Sequence, residues 1–546
     1  MPRWAEWTGG VFLLLVVATG VVLEYVILNA EPILRRRVIA SLQARFNSPV
    51  ELDALHISVF KGLQVTGEGL RILRIAGPEQ PDAQPQGAPP MLTIRNFQFR
   101  AGLRELFEPT MRIGVVQVDG LELHIPPKQN RGPLMARDKA KKQPKITMLV
   151  DKIVVSKMTL TIETNKPGKL PLVFEIRNVT LHDVGRDKAF PFDAWLVNAK
   201  PVGQIHSSGQ FGPWADAEPR DTPVSGDYTF THADLGPIKG IAGILSSTGR
   251  YGGTLGEIGV TGQTDTPDFS LDTTQHPVDL KTQFDATVDG TTGDTVLNHV
   301  HATFLNTVLE LQGKVIRARD IQGGAQNVAG HLIDIAVTSD HARIEDILLL
   351  AAKTKPAVVR GAMTLRAHLE IPPGQVSVTK KIRVQGTFTI NGATFNNAKW
   401  QDTVDKLSQR ASGEMKEAGP DDAKRVQSQM GGDFALAGSV VDISKLHYQI
   451  PGAVVDMAGK YSLDGKTVNF DGTVKTKATA SQMLKGWKSI VAMPFDPLLK
   501  KDGAGLEVPI TVRGTEDAPK LGLDMGKLGA QIFSHHKGQA PDGQKP

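Results

Sequence analysis

Alternation of apolar and polar residues with a period of two recurs along most of this chain, and no other feature constrains the fold as tightly. KMTLTIE places Met158, Leu160 and Ile162 on one face. Leu121, Leu123 and Ile125 oppose Glu122 and His124. MTLRAHLEI sets Met363, Leu365, Ala367, Leu369 and Ile371 against Arg366, His368 and Glu370. KIRVQGTFTI sets Ile382, Val384, Phe388 and Ile390 against Lys381, Arg383, Gln385, Thr387 and Thr389, and Val508, Ile510 and Val512 repeat the pattern near the end. Successive side chains of a strand point to opposite faces. Alternation of this length therefore predicts a mainly β protein, an antiparallel sheet with one apolar and one wet face. Hairpin turns are expected at Asp119-Gly120, Asp289-Gly290, Asn391-Gly392, Asp464-Gly465 and Asp471-Gly472, dipeptides that accept the positive φ of a tight turn. A content of 55 glycines and 34 prolines in 546 residues, with 6% aromatics, suits many strands joined by turns.

Helical patterns interrupt the strands. ADLGPIKGIAGIL (233–245) is weakly helical, ARIEDILLLAA (342–352) more clearly so, and 398–430 reads as one or two charged helices broken near Gly419-Pro420. Residues 479–500 are apolar but interrupted by Pro494 and Pro497, too broken to span a membrane, and read as a helix closing the last part of the sheet. Residues 77–90 are a proline-rich polar loop and 126–145 a second loop rich in Lys, Arg and Pro.

Thr8 to Leu28 is long and apolar enough to cross a bilayer, about 20 residues for ~30 Å of hydrocarbon. Val11, Phe12, Leu13, Leu14, Leu15, Val16, Val17, Val21, Val22 and Leu23 form its apolar body. Glu24 sits near the far end, within reach of headgroups. A cleaved signal peptide is the alternative, but the start is weakly basic and no small-x-small site follows. After Pro32, Ile33, Leu34, Val38, Leu42 and Phe46 fall near one helical face, away from most of Arg35, Arg36, Arg37 and Arg45. Two readings stay open: a helix lying on the membrane surface, or a helix capping a β-core. Counted alone, these arginines would put this side of the span in the cytoplasm.

Recognisable catalytic chemistry is missing from the sequence. There is no cysteine, hence no thiol nucleophile or cysteine metal site. There is no HExxH, no G-x-S-x-G elbow, no Walker A motif and no Rossmann fingerprint. His182 and Asp183 are adjacent in a strand pattern and so point apart. Gly253, Gly256, Gly259 and Gly262 recur every third residue over a stretch too short for a triple helix. DGTTGD (289–294) lacks the spacing and closing Glu of a calcium loop. The net charge of +5 has no accompanying stripe of aromatic and basic residues, which argues against nucleic acid. The expectation is a protein that is not an enzyme and uses no metal or cofactor. Its apolar face must be covered by another layer or used, and a long open one would suit acyl chains at about 0.8 kcal/mol per buried methylene.

The order of segments resembles the AsmA-like family of Gram-negative envelope proteins, related to AsmA and TamB. The resemblance lies in the single span and basic helix, then VELDALHISVFKGLQVTGEGLRI, LTIRNFQFRAGLRELFEPTMRIGVVQVDGLELHI, a loop, and KITMLVDKIVVSKMTLTIE. It continues in ADLGPIKGIAGILSSTGRYGGTLGEIGVTGQTDTPDFSL and closes in AGLEVPITVRGTEDAPKLGLDMGKL. The resemblance implies an inner-membrane anchor, single-pass, with the bulk in the periplasm. It implies an elongated, curved antiparallel sheet forming a hydrophobic β-groove that carries phospholipid toward the outer membrane, with an outer-membrane or periplasmic protein as possible partner. The family supplies no catalytic or ligand residues to carry over. The alternative is a non-transporting assembly factor for outer-membrane proteins. Candidate groove-lining residues are Leu121, Leu123, Ile125, Met158, Leu160, Ile162, Leu365, Leu369, Ile371, Ile382, Val384, Phe388, Ile390, Val508, Ile510 and Val512. The expected organisation is an anchor (1–30), an amphipathic helix (31–48), an N-terminal β-region (49–145), a central β-groove (146–397), a helical insertion with a C-terminal β-region (398–533) and a disordered tail (534–546).

Overall fold

The structure is a computed structural model that describes residues between Pro32 and Asp524, apart from short interruptions and the stretches 75–88, 102–109, 126–146, 164–171, 318–329, 413–427 and 478–506. The proposed anchor, both polar loops, the second half of the 398–430 helical region, the 479–500 helix and the tail lie wholly or mainly outside the described residues. Among the described residues the chain is mainly β, with no helix long and apolar enough to cross a membrane. It divides into two units. One takes in the described residues up to Ala233, with Ser247–Val260 and Asp289–Thr292. The other takes Asp234–Ser246, Thr261–Val288 and the described residues from Gly293 onward.

The first unit begins with β1 (Val50–Glu51) and β2 (Ala54–Ser58), which both pair antiparallel with β3 (Leu63–Ile72). Then follow β4 (Leu92–Ala101), β5 (Thr110–Ile125), β6 (Thr147–Ile162), β7 (Leu172–Val184), β8 (Phe190–Ala199), β9 (Val202–Phe211) and β10 (Pro223–Asp234). Neighbours in this series are antiparallel from β3 to β5 and from β6 to β9, but β5 and β6 run parallel, from Thr110 opposite Thr147 to Ile125 opposite Ile162. The antiparallel expectation fails at that one pair. The hairpin expected at Asp119-Gly120 is also absent: β5 runs straight through it.

What Gly120 marks instead is an aligned fold line. The apolar side passes from Leu52 to Leu55 across β1 and β2, then from Gly67 to Leu70, Ile94 to Phe97, Val118 to Leu121, Val155 to Met158 and Ile176 to Val179 in β3 to β7. Each step is three residues where two would keep the alternation. The wet face therefore gains a residue in every strand: Asp53-Ala54, Glu68-Gly69, Arg95-Asn96, Asp119-Gly120, Ser156-Lys157 and Arg177-Asn178. Gly69, Gly120 and Lys157 take positive φ there, at 64°, 72° and 56°. A second line follows the same rule, with Gly114-Val115, Asp151-Lys152 and His182-Asp183 doubled on the wet face of β5, β6 and β7, so His182 and Asp183 share a face instead of pointing apart as simple alternation predicted, Asp183 taking φ of 50°. A sheet with more residues on one face bends toward the other, as at a bulge, so both lines curve this sheet toward its apolar side.

Under β1 to β4, Val50, Leu52, Leu55, Val65, Leu70 and Ile72 form a buried cluster, and Ile39 and Leu42 pack on it. The described residues between Pro32 and Gln43 are helical, and Arg35 Nε donates to the Leu52 carbonyl at 3.2 Å. Of the two readings of this helix, the β-core cap is the one its contacts support. At the strand ends nearby, Arg74 Nη1 donates to Glu163 Oε2 at 2.7 Å and His124 Nδ1 lies 3.4 Å from Glu163 Oε1. Hydrogen bonding from Arg74 holds the Glu163 carboxyl below the usual carboxylate range against the opposing effect of burial. A carboxyl with a depressed folded pKa adds stability above its unfolded value, and that stability is lost as pH falls through the folded value. Glu163→Gln is therefore expected to flatten the acid-side fall of the melting temperature below about pH 4.5, read from thermal unfolding across pH. An unchanged acid limb would refute the assignment.

The second unit contains β11 (Ile241–Ala242), much of β13 (Glu257–Leu271), and β14 (Val278–Val288), β15 (Thr295–Phe304), β16 (Thr307–Arg317), β17 (His331–Arg343), β18 (Val359–Ile371), β19 (Arg383–Phe395), β20 (Gln429–Ala437), β21 (Val440–Ile450), β22 (Ala453–Ser462), β23 (Val468–Thr476), β24 (Glu507–Gly514) and β25 (Pro519–Leu523). From β14 to β25 each strand pairs antiparallel with the next. Asp289-Gly290 and Asp464-Gly465 join strands as expected. Asn391-Gly392 and Asp471-Gly472 lie inside β19 and β23, Gly392 taking φ of 66° where the strand gains a residue. Residues 233–245 form no helix; Gly240 and Gly243 at φ of 111° and 135° turn the chain between β10 and β12 (Ile244–Thr254). The 342–352 pattern is met by α1 (Ile344–Ala351). A short α2 (Val378–Lys381) precedes β19, and Ile382 is its C-cap rather than a strand residue. The first part of the 398–430 pattern is α3 (Ala398–Ser412), and its last residues already belong to β20.

The wet face of this unit is laced across strands by the ion pairs Lys314–Asp334 (3.7 Å), Lys445–Asp433 (3.7 Å), Lys460–Asp442 (3.6 Å) and Arg513–Asp471 (2.7 Å), with the His368 ring also 3.3 Å from Asp334. Each is exposed or partly exposed and contributes little alone. Together they fix which face meets water.

Candidate functional site

Register turns the alternating strands of the second unit into continuous apolar rows. One row crosses twelve strands, from β14 to β25: Phe284, Val300, Leu311, Val337, Ala367, Gly386, Phe434, Ile443, Gly459, Phe470, Val512 and Leu521. A second, on β14 to β23, is Ala286, Leu297, Gly313, Ile335, Leu369, Val384, Leu436, Val441, Tyr461 and Val468. A third begins Leu365, Phe388, Gly432, Leu446, Met457. The glycines stand beside large partners. A Cβ on Gly459 would sit 2.2 Å from the Asn469 carbonyl oxygen and 2.7 Å from the Phe470 ring, so the glycine admits the close approach of both the neighbouring backbone and the ring.

Two helices cover one margin of this face. Ile344 and Ile347 of α1, and Val404, Leu407 and Ala411 of α3, pack on the row Met363, Ile390, Met430, Tyr448, Val455, Val474. Those six are all buried, Ile390 at 2% exposure. Asp346 pins α1 from inside, accepting the Asn306 N–H and the Thr307 hydroxyl at 2.9 Å each. Ser408 of α3 donates to the Pro451 carbonyl at 3.0 Å. Away from the helices burial falls off: every member of the Ala286–Val468 row except Ala286 is partly exposed.

The predicted residues divide accordingly. Leu365 pairs with Phe388, Leu369 with Val384, and Ile390 with Met363; Val508, Ile510 and Val512 follow Val474, Gly472 and Phe470. Leu365, Ile371, Ile390, Ile510 and Val512 are buried, whereas Leu369, Val384, Phe388 and Val508 are partly exposed. Ile382 lies outside the rows. In the first unit the parallel pair brings Leu121 beside Met158, Leu123 beside Leu160 and Ile125 beside Ile162. Sequence reasoning missed Phe434, Ile443 and Phe470; Gly432 and Gly472 interrupt the alternation of the strands of Phe434 and Phe470, and the extra residue at Ser444-Lys445 shifts the phase of the strand of Ile443.

Along the first unit a row runs Leu55, Gly67, Phe97, Val118, Val155, Val179, Ala194 and then turns polar at Ser207 on β9. Among the described residues no group of three or more His, Asp or Glu is arranged to hold a metal ion. No family model, curated protein or solved structure matches this chain.

Proposed function

We propose that the chain is an AsmA-like protein, anchored in the inner membrane with its bulk in the periplasm, whose apolar sheet face carries phospholipid acyl chains toward the outer membrane and so supports outer-membrane biogenesis. The observation that carries this reading is an apolar row crossing β14 to β25 and its neighbour on β14 to β23, both without a charged residue, most of whose members stay partly exposed beyond α1 and α3. A closed core would bury such rows as it buries the row under α3. An acyl chain laid along them gains about 0.8 kcal/mol per methylene, with no catalytic step required. The test is extraction of the full-length protein in mild detergent and measurement of phospholipid per protein. At least one phospholipid per chain is expected. Protein that emerges empty refutes lipid carriage and leaves the assembly-factor reading.

A further inference from the structure

On the wet face of the first unit one aromatic ring stands where alternation calls for a polar side chain. Register sets Thr180, Asp193 and Ser208 in one line across β7, β8 and β9, Asn178, Trp195 and His206 in the next, and Glu175, Val197 and Gln204 in a third. Trp195 is the centre of this grid. It is 46% exposed, and every other aromatic ring among the described side chains is more deeply buried. The ring is also held in place. His206 stacks on it with centroids 4.1 Å apart and planes 18° from parallel. His206 is fixed in turn by Asp193, with Nε2 2.7 Å from Oδ2. Around the indole, Asn178, Gln204 and Ser208 are exposed, and among the described residues their side chains have no hydrogen-bond partner. An amide offers two donors and an acceptor, and a hydroxyl one donor and an acceptor. These groups are therefore unspent. Charge near the ring balances. Arg177 shares the face with Glu175, and the Asp193 carboxylate is engaged by His206.

We propose that this grid is a binding site for a neutral glycan, one sugar laying its C–H face on Trp195 while hydroxyls of that sugar and its neighbours meet Asn178, Gln204 and Ser208. The class follows from the mixture of groups. An aromatic platform takes an apolar face. An acyl chain or apolar peptide laid here would bury three polar side chains without partners. A phosphate calls for an excess of cationic donors, which a balanced patch does not offer. A sugar is apolar on its face and hydroxylated around its edge, matching a ring surrounded by amides and a hydroxyl. The grid is an open sheet face, so it suits a run of several sugars better than a single one. Lipid carriage concerns the opposite face, and this inference does not depend on it.

The test titrates full-length protein with two neutral tetrasaccharides, tetra-N-acetylchitotetraose and maltotetraose, and follows binding by saturation-transfer NMR and calorimetry. Wild-type protein is expected to bind at least one of them. Trp195→Ala is expected to weaken that binding about tenfold, the loss of one good ring contact. Asn178→Ala with Gln204→Ala leaves the Trp195–His206 stack in place. That double variant is expected to keep the wild-type melting temperature and to bind about fivefold more weakly, the size of one net hydrogen bond. Binding of neither sugar by the wild type overturns the proposal, and so does binding that Trp195→Ala leaves unchanged. Should Trp195→Ala fail to fold, the double variant decides, and undiminished binding by it overturns the site.

Discussion

Leu369→Asp combined with Phe434→Asp is expected to lower bound phospholipid at least tenfold while the protein stays folded. Both side chains lie on the apolar rows, on β18 and β20, and both are partly exposed. A carboxylate there can reach water in the empty protein, so the fold loses little. Under an acyl chain it would be sealed from water, and burying an unpaired carboxylate costs several kcal/mol. That outweighs the gain from several methylenes. Thr387→Asp, on the wet side of β19, is the control and should leave lipid content unchanged. Phospholipid per protein and far-UV circular dichroism together decide the matter. If the double variant keeps its lipid and its sheet signal, these rows are not where the chains lie.

Gly452→Val is expected to cost about 3 kcal/mol and to loosen α3 from the sheet. Gly452 sits in the β21–β22 turn at φ of 81°, a region that costs a residue with a Cβ roughly 1–2 kcal/mol. A Cβ here would also overlap the backbone of Ala411 and Ser412, which no rotamer change can relieve. Gly438→Ala separates the two effects. Its φ of 57° is similarly left-handed, but open space surrounds its Cβ position, so only the backbone cost of about 1 kcal/mol is expected. Urea unfolding gives the stabilities, and limited proteolysis within 398–412 reports whether the helix has lifted. Equal losses in the two variants would mean that the α3 contact contributes nothing beyond the turn.

Strand content and facing were legible because alternation reports burial directly, and β18 follows its pattern residue by residue. Where strands end was less legible, and the cause is chemical. Asp-Gly and Asn-Gly accept positive φ equally well at a hairpin and at an extra residue within a strand. Asp289-Gly290 and Asp464-Gly465 are the former; Asp119-Gly120 and Asn391-Gly392 are the latter. The parity step from Val118 to Leu121 is common to both and cannot decide between them. The matching steps in β4 and β6 can, since a fold line must be copied by its neighbours whereas a hairpin need not be. Burial among the candidate residues was illegible for a different reason. Leu365 and Leu369 carry the same side chain on the same face, and only the tertiary placement of α1 and α3 buries one more deeply than the other.

The fold lines of the first unit also restrict how such a sheet can change over generations. Its strands keep a common phase only because each carries the extra residue at the same station. Losing Gly120 alone would invert the remainder of β5, sending Leu121 and Leu123 to solvent and Glu122 and His124 inward, out of step with β4 and β6. A hairpin copied whole brings its own two phase marks and can be accommodated. The sheet is thus open to growth by pairs of strands and closed to growth by single residues, and length becomes the easily varied quantity while the continuity of the apolar face is protected.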